Sequence, residues 1–151
     1  MVYAVLKFVH VLLAMIAIGF NASYGLLIGR ARSGAGDARE LKFALRTVKV
    51  MDDYVANPCY VLLLLTGAAM VHVAGYSWSQ PWLHGSLALL VVVAVLGLAF
   101  YTPTLRRQIE VLDARGAGDP EFVRLSKRGS LLGAALGVIV IVIVALMVFK
   151  P

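Results

Sequence analysis

Charged residues in this chain are confined to two stretches, and apolar residues fill nearly everything else. All 8 acidic residues and 12 of the 14 basic ones fall within 30–53 and 106–128, leaving only Lys7 and Lys150 outside. Residues 54–105 run for 52 positions without an Asp, Glu, Lys or Arg. A membrane-crossing helix takes about 20 apolar residues, so that stretch holds two helices and a short connection. The charge-free runs 8–29 and 129–149 are each long enough for one more. The pattern predicts an all-α protein: one domain, a four-helix transmembrane bundle, with helices near 3–29, 57–75, 82–104 and 129–149.

Composition agrees. The 151 residues are 61% hydrophobic and 15% charged, against roughly 45–50% and about 25% in an average soluble domain. Intrinsic disorder is excluded, and a single cysteine excludes a disulfide framework or a CxxC metal site. A net charge of +6 would suggest nucleic acid in a soluble protein. Here the cations flank apolar spans, so the expected partner is the lipid bilayer and no nucleic acid. Each charged window carries six Lys or Arg, whereas the connection at 75–82 carries none and offers Tyr76, Trp78 and Trp82. By the positive-inside rule both windows are cytoplasmic loops of a bacterial inner-membrane protein, with both termini on the outer, periplasmic side.

The loops have local patterns of their own. Leu41, Leu45, Val48 and Met51 recur at helical spacing opposite Lys42, Arg46 and Lys49. This describes an interfacial helix on the anionic leaflet or a solvated helix joining two spans. Asp119-Pro120 is a helix start, Asp as cap and Pro at the first position, and Asn57-Pro58 reads the same way. The glycines of RSGAG, at 32–36, and RGAG, at 115–118, mark flexible points.

Chemistry inside the membrane rests on few side chains: His10, His72, His84, Asn21, Cys59 and the methionines. An intramembrane ionisable residue is a functional candidate by default. His10 lies roughly 10 Å into the first helix at about 1.5 Å per residue. His72 and His84 each lie about one turn from the outer connection, so all three histidines belong to the outer half. Ala14 and Ala17 follow His10 on its face, and Ala68 and Ala69 flank His72. Small neighbours leave room for a flat macrocycle, and imidazole is an axial ligand of haem iron. His10 is therefore the expected principal ligand of haem b, with His72 as preferred partner and His84 as second choice. Asn21 lies too far along the helix to share that iron and serves packing or a hydrogen bond. Thioethers at Met1, Met15, Met70 and Met147 beside imidazoles at His10 and His72 give copper as a weaker alternative. Cys59 reads as a buried small residue. Gly129, Gly133 and Gly137 form overlapping GxxxG units, and Gly25–Gly29 another, permitting close backbone approach within the bundle or against another protein.

The segments LKFVHVLLAMIAIGF, NPCYVLLLLTG, PWLHGSLALL, TPTLRR and the closing LMVFKP resemble a bacterial inner-membrane family catalogued as domain of unknown function 2269. The resemblance covers essentially the whole chain. That family is similar in turn to copper-resistance D membrane proteins and to HemJ-type protoporphyrinogen oxidase. In the oxidase a first-helix histidine in an LKxxH-type context ligates haem b, which maps onto His10. Its second ligand is a lysine in a WLHxK-like segment, and here that position is Ser86, following Trp82-Leu83-His84-Gly85. The resemblance thus implies a haem site completed by His72 or His84, or a five-coordinate iron. No catalytic group emerges. The function classes that follow are a haem b protein for electron transfer or haem handling, an accessory subunit of a larger respiratory or photosynthetic membrane complex, and a copper-handling protein. A homo-oligomer is compatible with each of them.

Overall fold

The structure, a computed structural model, describes residues 1–33 and 38–150. Four helices are long and apolar enough to cross a membrane: α1 (Val2–Ser33), α2 (Ala38–Ala74), α3 (Pro81–Arg115) and α4 (Pro120–Phe149). This is the all-α bundle that the charge pattern predicts. One end carries both charged windows and is called here the basic end; the other carries the turn at 75–80. Gly75 closes α2 in the left-handed region, at φ 66°, where L side chains are rarely found. Tyr76 N–H returns to Val71 O at 3.1 Å, completing that cap.

Most of the described residues of the charged windows are helical rather than loop. The structure continues α2 and α3 well past the expected ends of their spans, so 38–56 and 105–115 are helical. Asn57-Pro58, expected as a helix start, lies within a continuous helix. Proline lacks an N–H and clashes with the preceding turn. The chain accommodates it with a π-helical turn at Asp52–Ala56, where Asn57 N–H bonds Asp52 O, five residues back. α3 repeats the device: a π turn at Leu96–Tyr101 precedes Thr102-Pro103, and Thr102 N–H bonds Gly97 O. The two wide turns meet across the bundle. Thr102 Oγ1 donates to Asp52 Oδ2 at 2.7 Å, and Asp52 is only 6% exposed. Asp119 does cap α4 as expected, accepting from Glu121 N at 2.8 Å and Phe122 N at 3.4 Å.

The amphipathic stretch after residue 38 does not lay its apolar side on lipid. Leu41, Leu45 and Val48 are buried in one core with Leu105, Val111, Leu112, Phe122 and Leu125. The four-helix arrangement thus extends beyond the membrane-spanning part, closed by its own side chains. Gln108 Nε2 donates to Leu125 O at 2.9 Å inside this core. On its surface Asp113 pairs with Lys42 at 2.7 Å and Arg46 at 2.9 Å, and Glu121 pairs with Arg107 and Arg115. Exposed pairs of this kind contribute little, being screened by solvent. Burial of the leucines and valines carries the extension. At the turn end Val71, Trp82, Leu83 and Met147 form a second, smaller core. Tyr76 meets Trp82 edge-on at 5.8 Å, and Lys150 Nζ lies 5.2 Å from the Tyr76 ring centre. Of the glycines expected to be flexible, Gly116, at φ 83°, ends α3, and those at 34 and 36 lie outside the described residues.

The GxxxG glycines divide. A Cβ at Gly129 would sit 2.5 Å from Gln108 Nε2, so α3 and α4 approach closely there. At Gly133 and Gly137 it would meet Tyr101 at 3.8 Å and Asn21 Oδ1 at 4.0 Å, ordinary contacts. At Gly25 and Gly29 it would meet nothing within 4 Å. Gly129→Ala is expected to displace the buried Gln108 amide and cost on the order of 1–3 kcal/mol. Gly25→Ala is expected to be neutral or stabilising, since it adds a helix former in open space. Thermal unfolding of both variants in one detergent checks this; equal midpoints would show that Gln108 gives way freely.

Candidate functional site

Small residues occupy one face on each helix at the same level of the bundle: Ala22 and Gly25 on α1, Ala56 on α2, Ala94 and Gly97 on α3, Gly133 and Gly137 on α4. Short side chains on four facing helices leave the space between them unfilled. The result is a cavity of about 870 Å³ in the basic-end half of the membrane-spanning part, reaching from Asn21 to Arg32 along α1. Its walls are mostly aliphatic, with Ile28, Val61, Leu64, Val93 and Leu136. α2 and α3 hardly touch along their apolar halves. Val61 and Leu64 on one and Val91 and Leu98 on the other are exposed, and they frame a lateral opening toward the surrounding hydrocarbon.

Polar groups project into this apolar space at a few points. Asn21 Nδ2 donates to Tyr60 OH at 3.5 Å. Tyr24 and Tyr101 stack with centroids 6.5 Å apart and planes 9° from parallel. The Tyr24 hydroxyl is buried and, among the described residues, has no hydrogen-bond partner. Leaving such a group unpaired costs roughly 1–3 kcal/mol. Arg32, Asp52, Asp53, Gln108 and Ser130 border the cavity at the basic end. Asp53 pairs with Lys49.

The expected haem residues lie elsewhere. His10 faces α2 in the turn-end half, where its Nδ1 is 2.8 Å from Thr66 Oγ1. The Thr66 hydroxyl donates its one proton to Leu62 O at 2.7 Å, so it accepts from His10. That assigns the Nδ1–H tautomer and leaves Nε2 with a free lone pair. The ring packs over Gly67, where a Cβ would come within 3.3 Å of His10 Cε1. His72 lies six residues beyond Thr66, about 9 Å further along α2, and is exposed. His84 is exposed as well. The structure therefore brings His10 to Thr66 and Gly67, not to either other histidine. Met147 packs in the turn-end core, Met15 is exposed, and Cys59 is buried. Among the described residues no three His, Cys, Asp or Glu side chains come together as a metal site.

The cavity and its tyrosines were not singled out from the sequence. Their signal was present, as Tyr24, Tyr60 and Tyr101 among small residues. Without the helix pairing nothing shows that those faces share one space. Thr66-Gly67 lies in the NPCYVLLLLTG segment, but its tie to His10 also needs the fold.

A family model described as a predicted integral membrane protein, DUF2269, matches residues 4–151, and the chain belongs to that family. No curated protein and no solved structure gives a significant match.

Proposed function

We propose that this integral membrane protein of the DUF2269 family binds a lipophilic small molecule inside its bundle, in the cavity between Asn21 and Arg32. The observation that carries this reading is the size of the void. About 870 Å³ of apolar-walled space stands between the helices and opens sideways to hydrocarbon, so it admits apolar molecules from the bilayer. Its volume falls within the roughly 300–1,000 Å³ usual for small-molecule sites, and its apolar walls with few polar groups match their chemistry. The Tyr24 hydroxyl and the Asn21–Tyr60 pair give a ligand's polar atoms something to bond. The gap between α2 and α3 gives it an entrance from the bilayer. In this reading the basic end faces the cytoplasm of a bacterial cell, as the positive-inside rule requires.

A second reading has its own observation. His10 is held by Thr66 with Nε2 free, the second-sphere arrangement that prepares an imidazole for a metal. It would serve haem b as a single axial ligand. The residues fit a six-coordinate haem poorly, because His72 and His84 are exposed and distant in level from His10. If bound, the group would supply one-electron chemistry, and this chain's own part would be to orient the His10 ring through Thr66.

Protein in phosphatidylcholine nanodiscs is expected to enhance the fluorescence of the neutral probe 1-aminoanthracene saturably. Gly25→Leu, which adds a side chain in open space on the cavity wall, is expected to weaken this at least tenfold. Enhancement no greater than in empty nanodiscs would end the cavity reading. For haem, protein from cells supplied with a haem precursor is expected to show a Soret band that His10→Ala removes; a colourless wild type counts against it. For orientation, a Cys59→Ser background carrying Ser79→Cys is expected to react with an impermeant thiol reagent in intact cells, and one carrying Arg124→Cys is not. The reverse pattern would invert the topology.

A further inference from the structure

We propose that the ligand of this cavity is an anionic amphiphile, a phosphate monoester on an apolar chain, whose head is held by Arg32, Lys127, Ser126 and Ser130. The inference rests on the cavity reading above and specifies its ligand. Arg32 and Ser130 border the large cavity and also line a second recess of about 530 Å³ at the basic end, between α1, the start of α2 and the start of α4. These two residues are thus common to the large apolar cavity and to the recess. Arg32 donates to Ser130 Oγ at 3.2 Å, and among the described residues no carboxylate pairs with it. The acids nearest the same cavity are already engaged, Asp52 by Thr102 and Asp53 by Lys49.

Among the described residues the recess is lined by no carboxylate, whereas it has two cations, Arg32 and Lys127. Five other cations at this end meet acids: Lys42 and Arg46 pair with Asp113, Lys49 with Asp53, and Arg107 and Arg115 with Glu121. Ser126 supplies an independent indication. It is 8% exposed, it lines the recess, and among the described residues its hydroxyl has no partner. The two cations match the nearly double negative charge of a phosphate monoester, where a carboxylate carries one, and the two hydroxyls add donors beside them. They suit the three terminal oxygens of a phosphate monoester, to which a guanidinium fork bonds in bidentate fashion. The apolar chain of such a molecule then runs from Arg32 into the aliphatic cavity, with its far end toward Asn21 and Tyr60.

The test compares dodecyl phosphate, dodecanol and inorganic phosphate as additions to the protein in phosphatidylcholine nanodiscs, read as the rise in thermal midpoint. Dodecyl phosphate is expected to half-saturate at a concentration at least tenfold below that of dodecanol. Arg32→Gln is expected to abolish that difference, and Lys127→Gln, at an exposed position, to reduce it about threefold. Inorganic phosphate is expected to give no shift over the same range. Equal half-saturation of the two amphiphiles by the wild type, or a full phosphate advantage in both variants, overturns the assignment. An inorganic phosphate response equal to that of dodecyl phosphate overturns it too, making the recess a free-anion site. If neither amphiphile shifts the midpoint, the cavity reading fails, a result distinct from losing the head-group preference alone.

Discussion

Hydrocarbon offers no water to a peptide group, and every backbone N–H and C=O in a span must find its partner inside the protein. That constraint shapes the whole chain. It requires helix throughout the apolar runs, and it makes each proline a place where a bond is missing. Pro58 and Pro103 follow directly on π turns, where Asn57 and Thr102 reach back five residues instead of four. The wide turns let both helices run on through their prolines, which otherwise end or kink a helix. They also bring Asp52 and Thr102 within 2.7 Å, so the two interruptions brace one another through a side-chain bond. Because the helices continue, their polar extensions stay in register with the spans and bury Leu41, Leu45, Val48, Leu105 and Val111 together.

Helix association within a bilayer has little hydrophobic drive, since lipid tails are as apolar as leucine. The extension beyond the spans has that drive in full, as its apolar side chains leave water. Its core holds the basic end together, and the cluster of Val71, Trp82, Leu83 and Met147 holds the turn end. Between these two anchor points the spans are free to pack loosely. The cavity lies in that interval, which explains how a four-helix protein keeps small residues on every facing surface without collapsing.

The four spans, the cap at Asp119 and the glycine close to α3 at position 129 were legible in the sequence, because charge and small size are local signals. Span ends were less so. Charged windows read as loops because their acids and bases are conspicuous, while the period of Leu41, Leu45 and Val48 leaves open what covers that face. Pro58 misled for a similar reason: a start signal and a mid-helix proline after a π turn look alike in one dimension. Gly25 and Gly29 match the close-packing motif as well as Gly129 does. What separates them is Gln108, which lies against one and not against the others.

The same limit governs the candidate site. Histidine draws attention in an apolar span because its cost there is high, and His10 does have a built environment in Thr66 and Gly67. Residues that create a void carry no such marker. Glycine and alanine are common in spans, and only the absence of a neighbour within 4 Å reveals that Gly25 faces space. Arg32 illustrates the point most clearly. In sequence it is one of six cations in its window and serves as a topology signal. In the structure three of the other five, Lys42, Arg46 and Lys49, meet carboxylates, whereas Arg32 stands at the junction of two hollows with a serine as its partner. Its place at the junction of the apolar cavity and a recess with no acid among its described lining residues is what supports reading it as the anion-recognising group proposed above.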